Sequence, residues 1–436
     1  MTPVKVGLLG LGTVGSGTAT VLKRNAEEIA RRAGRGIEID FVSTSKSELP
    51  SGLGLANSRI SADPFDIVND PEISIVVELY GGDEPAKSLV LQAIDNGKHV
   101  VTANKALIAK YGNEIFAKAQ EKGVIVAFEA AVAGGIPIIK SLREGLSANK
   151  INWLAGIING TGNFILTEMR DKGRDFEDVL KEAQALGYAE ADPTFDVEGV
   201  DAGHKLSILS SIAFGIPLQF EKTYMEGISM ISRDDVNYAA ELGYNIKHLG
   251  IARRTEKGIE QRVHPTLIPK RQLIANVDGV MNAVLVQGDA VGPTLHYGAG
   301  AGGEPTASAV VADIIDITRA LTSDPENRVP HLAFQADALS DTPILSMDDV
   351  ESAFYLRLSA LDEAGVLANI TQILGDSSIS IEAFIQKETK ISDGKADIIL
   401  LTKLVNEGDM NQAISKIEAL DVVSGAVTRI RVENLS

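Results

Sequence analysis

Lys205 ends a stretch dense in acids: Glu190, Asp192, Asp196, Glu198 and Asp201 all fall between Gly187 and His204. A positioned ammonium can hand a proton to an alkoxide as it forms, which is what reduction of a carbonyl by hydride requires. On a helix at roughly 100° per residue, with Lys205 at 0°, Asp201 falls at about −40°, Ile208 at about −60°, Leu209 at about +40° and Ile212 at about −20°. Lysine and acid therefore share the aliphatic stripe. A solvated Asp-Lys pair of small worth belongs on the polar face instead. An isolated charge among aliphatics is costly, so Lys205 is paired or faces a cavity. A catalytic lysine and a buried structural ion pair both satisfy that condition.

The second constellation is Gly10-Leu11-Gly12-Thr13-Val14-Gly15, a GxGxxG directly after a strand pattern and opening a helix. Gly10 permits the tight turn, Gly12 admits a pyrophosphate close to backbone, and Gly15 lets helix and strand pack. The helix N-terminus then faces the anion. An acid at the end of the next strand would bind the ribose 2′-hydroxyl of NAD. The sequence there is Asp40-Phe41-Val42-Ser43-Thr44-Ser45-Lys46, with Asp40 inside the strand and hydroxyls and a lysine at its end. Lys46 is placed to meet a 2′-phosphate, which favours NADP over NAD; a solvated loop lysine is the alternative.

The elements that position these residues follow from periodicity. Strand patterns at 4–9, 37–42, 73–79, 99–102 and 124–129 alternate with helical ones at 15–32, 84–96 and 105–122, the rhythm of βαβ units in a parallel sheet. From about Gly134 the style changes. Pro137 starts a helix, 151–158 is a strand, Asn159-Gly160-Thr161-Gly162-Asn163 a turn, 201–214 a helix, 245–251 and 284–287 strands, and 298–303 a glycine loop. A helix at about 306–322 returns to the first domain. The Asp-, Pro- and Ser-rich residues 326–350 read as a linker, and 351–436 as βαββαβ, a ferredoxin-like module. The fold class is α/β: an N-terminal Rossmann domain (1–130), an α+β substrate and dimerisation domain (131–325), the linker, and the C-terminal module.

Composition narrows the partners. The 436 residues carry 41 Lys+Arg against 59 Asp+Glu, a formal charge of −18, which repels a nucleic-acid backbone. No apolar run approaches the ~18 residues of a membrane span. The glycine-interrupted start reads as a strand rather than a cleaved leader. There is no cysteine, which fits a reducing compartment and a cytoplasmic location. His99, His248, His264, His296 and His331 have no metal-ligand spacing.

Taken together, Gly10 to Gly15, Thr102-Ala103-Asn104-Lys105, the run from Glu129 to Pro137, Asn159-Gly160-Thr161, residues 187–205 and Gly303-Glu304-Pro305-Thr306-Ala307 resemble the homoserine dehydrogenase family. The resemblance runs in order over residues 4–325 and implies NAD(P)H-dependent, reversible reduction of L-aspartate 4-semialdehyde to L-homoserine, in threonine, methionine and isoleucine biosynthesis. It makes Lys205 the proton donor and assigns Glu190, Asp201, Lys105 and Gly187 to substrate. The cofactor falls to Gly10, Gly12, Thr13, Val14, Gly15, Lys105, Thr102, Gly302 and Gly303. A monovalent cation, sodium, falls to Glu129, Val132, Gly134 and Ile136. His204 departs from the arginine common before the lysine. The C-terminal module resembles an ACT domain, whose turn Asp362-Glu363-Ala364-Gly365-Val366-Leu367 offers free helix N–H groups to an amino-acid carboxylate, with threonine the expected effector and dimerisation alone the alternative. A homodimer or homotetramer is expected. A 2-hydroxy acid dehydrogenase also joins Rossmann and ACT domains, but its Arg and Glu-His relay are not found here. A non-catalytic amino-acid sensor would bind the ligands without turnover.

Overall fold

The computed structural model describes residues 2–45, 49–325, 328–386 and 394–435. Lys46, on which the 2′-phosphate expectation rests, lies outside them. Six strands, β1 (Val4–Leu9), β2 (Ile37–Ser43), β3 (Arg59–Ser61), β4 (Ile75–Glu78), β5 (His99–Thr102) and β6 (Val126–Ala127), form a parallel sheet in the order β3-β2-β1-β4-β5-β6. This is the doubly wound arrangement with its switch point between β1 and β4. The central strands β4 and β5 are buried residue for residue without alternation, as strands covered on both faces must be, while β2 towards the edge places Glu38 and Asp40 outward. Val6, Leu8, Ile75, Val77 and Val101 are buried with Val310, Ile314 and Ile317 of the helix Gly303–Ala320, which packs into this core from far along the chain. The helical pattern at 15–32 resolves into two helices, Thr13–Arg24 and Ala26–Ala33, because Asn25 leaves helical geometry.

The chain separates into two compact units. The first comprises 1–160, 201–221 and 280–342, and the second 161–200, 222–279 and 343–436. Beside the parallel sheet, the first unit contains an antiparallel ribbon in which Met281–Gly288 pairs with Ile151–Ile157 on one side and Gly292–Ala299 on the other. The helix Val200–Phe214 is buried all round, so its apolar positions are not a stripe: Asp201 to Phe214 are buried without exception. Asn159 to Asn163 is not a free turn but leads into the helix Gly160–Lys172, begun where a side chain at Gly160 would meet the Val280 carbonyl at 2.8 Å.

In the second unit, Glu351–Leu361, Ile381–Gln386, Lys395–Thr402 and Val423–Val432 form the sheet of the ACT module, ordered fourth-first-third-second. One face carries the helices Val366–Asp376 and Glu407–Glu418. The other buries Tyr355, Ile399, Leu401 and Ile430 against Ile165, Met169, Val179 and Val236 from three helices outside the module. Its last strand also pairs in parallel with Ile259–Pro269, at Thr266 with Arg431 and Leu267 with Val432. Buried charges reinforce this seam. Arg262 donates to Glu433 at 2.6 Å and Glu260 at 3.0 Å, and Arg431 to Glu226 at 2.8 Å and Glu407 at 3.0 Å.

The stretch expected to be a linker is tied down at both ends. In the first unit, His331 Nε2 accepts from Val126 N at 3.2 Å and its ring stacks on Phe116, while Ser340 N donates to the Gly215 carbonyl. In the second, Ile259 N donates to Pro343 O and Leu345 N to Ile259 O, both at 2.8 Å. Lacking periodicity, the segment satisfies its backbone on edges made elsewhere, which no local pattern announces.

Both Glu407 and Arg431 are fully buried. Arg431→Met removes the nearer guanidinium from Glu407 and Glu226 and leaves them Arg429 at 3.5 and 3.6 Å, and breaking such a buried pair costs up to about 3–5 kcal/mol. Urea denaturation at pH 7 should show the midpoint fall accordingly; an unchanged midpoint would contradict the seam's electrostatic role.

Candidate active site

The glycine-rich turn sits at the carboxyl end of β1. Gly10 holds φ +98°, and a side chain there would meet the Leu79 carbonyl at 3.2 Å. Gly12 is the N-cap of the helix Thr13–Arg24, has no side-chain cap, and has nothing within 4 Å of where a Cβ would be. An open cradle above uncapped helix N–H groups suits a pyrophosphate. Gly302, the N-cap of Gly303–Ala320, also lacks a side-chain cap. The two helices approach so closely that a Cβ on Gly17 would lie 2.5 Å from the Gly303 carbonyl, and Gly303 itself lies against Thr13. Two helix N-termini thus converge, with Gly12, Thr13 and Gly302 exposed and Val14 half-buried. At the end of β2, Asp40 is engaged by Arg59 and lies 3.4 Å from Lys5, so this acid is not free for a ribose.

Asp201 is the centre of the carboxylate–lysine constellation. It lies in the first turn of the helix Val200–Phe214, one turn before Lys205. Lys205 Nζ donates to Asp201 Oδ2 at 2.7 Å and to the Ile158 carbonyl at 2.7 Å, and Asn159 Nδ2 donates to the same Oδ2 at 2.9 Å. Lys105 Nζ stands 3.1 Å from the other oxygen, Oδ1. Burial pushes the Asp201 carboxyl up, but the Lys205 and Lys105 ammoniums and the hydrogen bonds from Lys205 and Asn159 outweigh it and hold the group well below the usual carboxylate range. The Lys105 side chain is 33% exposed against 11% for Lys205, so it is the more open of the two. The residue before Lys205, His204, packs on Phe220 with ring centroids 4.1 Å apart; burial, then Lys110, pushes its imidazole down to about 4.

The structure brings Lys205, Asp201 and Lys105 together and adds Asn159. Thr102 is buried, its hydroxyl committed to Glu78 at 2.6 Å and to the Asn104 N–H at 2.9 Å. Glu190 and Gly187 belong to the second unit, in the exposed segment after the helix Phe176–Ala185; Gln184 Nε2 donates to the Glu190 carbonyl at 3.1 Å and Gly187 holds φ +75°. Sequence reasoning did not single out Glu78. The available signal was a carboxylate closing the otherwise apolar strand Ile75–Glu78.

The loop at Glu129 is buried. Glu129 N donates to Asp313 Oδ2 at 2.8 Å, and its carboxylate accepts from Ile139 N and Lys140 N at 2.9 and 2.8 Å. Burial, then Asp313, pushes the Glu129 carboxyl up to about 7. Val132, Gly134 and Ile136 follow on a tight backbone in which Ala133 and Gly134 both hold positive φ. Among the described residues no cluster of three or more His, Asp or Glu side chains is arranged for a metal ion. One carboxylate with spare lone pairs plus backbone carbonyls suits a hard ion of low charge.

A family model described as "Homoserine dehydrogenase" matches residues 137–315, one described as "Homoserine dehydrogenase, NAD binding domain" matches 10–129, and an "ACT domain" model matches 354–422. The homoserine dehydrogenase of Pseudomonas aeruginosa is 68% identical over 436 residues, spanning 100% of both chains. The crystal structure of a homoserine dehydrogenase from Thiobacillus denitrificans superposes with a TM-score of 0.95 at 69% identity, over 100% of this chain and 99% of that one. A hyperthermophilic archaeal homoserine dehydrogenase in complex with NADPH is 27% identical with a TM-score of 0.63, covering 73% of this chain and 98% of that one.

Asp201→Ala removes the carboxylate that two ammoniums share and should cost about 3–5 kcal/mol near neutrality. Because the folded carboxyl titrates below its unfolded value, its contribution is complete above the usual carboxylate range and is lost only as pH falls through the lowered folded value. The deficit measured by urea unfolding should therefore be as large at pH 5 as at pH 7. A deficit that disappears by pH 5 would exclude the shared-carboxylate reading.

Proposed function

Because the chain belongs to the homoserine dehydrogenase family, an NAD(P)-linked oxidoreductase family, we propose that Lys205 is the acid that completes reduction of the semialdehyde. The observation that carries this is the ammonium fixed by Asp201 and the Ile158 carbonyl, each at 2.7 Å, in a buried helix. Those two acceptors fix where Nζ sits and how its N–H bonds are aimed. The nicotinamide supplies the hydride when bound, and Lys205 delivers the proton to the carbonyl oxygen as it becomes an alkoxide. Asp201 keeps the lysine oriented, and Lys105 adds a second positive charge that favours the anionic oxygen. Glu190 and Gly187 receive the amino-acid end of the substrate.

The pyrophosphate is held by Gly10, Gly12, Thr13, Val14 and Gly15 with Gly302 and Gly303, and Lys105 and the Thr102 backbone take the nicotinamide side. NADP is the proposed cofactor, since Asp40 is committed to Arg59 and so is not free for a ribose 2′-hydroxyl; the ratio of NADPH to NADH Michaelis constants measures this. Threonine is the proposed effector at the uncapped turn before the helix Val366–Asp376, read as inhibition or a thermal shift. The enzyme acts as a homodimer or homotetramer, checked by sedimentation, in the cytoplasm. Among the described residues no helix is long and apolar enough to cross a membrane.

Lys205→Ala should lower kcat by at least about a hundredfold while leaving NADPH affinity within about twofold, because the lost interaction belongs to the transition state. Turnover near that of the unaltered enzyme would remove Lys205 from the chemistry.

Sodium is proposed on Glu129 with the carbonyls of Val132, Gly134 and Ile136, bracing the loop. A carboxyl raised to about 7 favours the protonated form, so its burial costs nothing at low pH and destabilises increasingly as pH rises from the ordinary carboxylate value through 7. A cation relieves that cost. Sodium chloride, compared with choline chloride, should raise Tm more at pH 8 than at pH 5, and Glu129→Gln should abolish the difference; an equal effect at both pH values would refute the site.

A further inference from the structure

Glu78 is the last residue of β4 and is fully buried, level with Leu9 on β1 and Thr102 on β5 at the carboxyl edge of the parallel sheet. Burying a carboxylate there is expensive, and an aliphatic residue would extend the strand more cheaply. Donors converge on it instead. Oε1 accepts from Tyr80 N at 2.8 Å and Gly81 N at 3.1 Å, and Oε2 accepts from the Thr102 hydroxyl at 2.6 Å. Burial pushes the carboxyl up, and Thr102, Gly81, Tyr80 and the Asn104 side chain oppose it.

Each donor leads to the site. The loop that follows Glu78 holds Gly81 and Gly82 at φ +76° and +72°, and at either one nothing lies within 4 Å of where a Cβ would be, so its outer side is open. It is the loop next to the glycine-rich turn, where Leu79 N donates to Leu9 O and the Leu79 carbonyl packs on Gly10. On the other side, Thr102 receives the Asn104 N–H; Asn104 donates to the Gly82 carbonyl at 2.6 Å and caps the next helix through Leu107 N at 3.1 Å. Lys105 is the first residue of that helix and reaches Asp201.

We infer that Glu78 is a positioning residue for hydride transfer: touching neither substrate, its carboxylate fixes residues 79–82 as the bed for the nicotinamide half of the cofactor and sets the turn from which Lys105 projects. This rests on the roles given above to the glycine-rich turn and Lys105. A glutamine of the same shape is a poorer partner. Its oxygen can serve the two backbone N–H groups and its nitrogen can donate to the second lone pair of the Thr102 oxygen, but the Thr102 O–H then loses its acceptor and the negative charge is gone.

The test is Glu78→Gln, with Thr102→Val as the second variant, which removes the same hydrogen bond from the other side. NADPH affinity is measured by fluorescence titration without semialdehyde, so it does not depend on Lys205. Expected are about tenfold weaker NADPH binding, a kcat lower by about tenfold, and a larger primary deuterium isotope effect with 4-deuterated NADPH, all at a Tm within about 3 °C of the unaltered enzyme. A purely structural acid would lower Tm and leave the constants of the folded fraction and the isotope effect unchanged, and that result overturns the inference. Should Glu78→Gln fail to fold, Thr102→Val decides: unaltered NADPH affinity and kcat overturn it, and the expected pattern sustains it. If Lys205→Ala retains turnover while Glu78→Gln weakens NADPH binding, the proton-donor assignment fails and the positioning of the cofactor bed stands.

Discussion

One buried carboxylate serves two ammonium groups. Asp201 lies at 6% side-chain exposure between Lys205 and Lys105, one lysine on each oxygen, and the Asn159 amide shares the oxygen that Lys205 takes. Breaking a buried pair of this kind costs more than forming it returns, so these side chains hold one another in place. The field is local: over the whole chain the formal charge is −18. A cluster removed from bulk water is screened less than the surface, so the near charges decide what develops there.

The remaining geometry exists to hold that cluster against the end of a sheet. Lys105 is brought in by the helix that follows β5, capped by Asn104, and Asn104 is fastened to the loop after β4. Lys205 and Asp201 are brought in by a helix buried on every side, which therefore has no solvated face to give slack. Close packing at the glycines supplies the rest. Gly17 and Gly303 let two helices lie against each other at their N-terminal ends without a side chain between them.

Much of this was legible in the sequence, for reasons that can be given residue by residue. The parallel strands are short apolar runs bounded by turn signals, and the glycine-rich turn announces itself by position and spacing. The Asp201 and Lys205 pair was visible because four residues on a helix place them together. What the sequence hid depends on partners far away in the chain. Asn159 meets Asp201 across 42 positions, and Thr102 meets Glu78 across 24. The stretch 326–350 reads as a linker because the order of its described residues, 328–350, comes from edges they borrow: Val126, Gly215 and Ile259. The module boundary near 351 was read from composition, yet the face of its sheet is apolar because helices from elsewhere cover it.

That shared face bears on how an effector in the C-terminal module would act. The helix Val366–Asp376 packs on one side of the sheet, and the side chains beneath it alternate with Tyr355, Ile399 and Leu401 on the other. These in turn pack with Val179 and Ala183 of the helix Phe176–Ala185, whose end runs directly into Gly187 and Glu190. A core of this density does not deform gradually; it changes by repacking between discrete arrangements. A ligand shifts such an equilibrium only by as much as it prefers one arrangement. The buried guanidiniums of Arg262 and Arg431 raise the cost of separating the module from the elements beneath it, so a rearrangement that keeps those pairs intact costs less than release of the module.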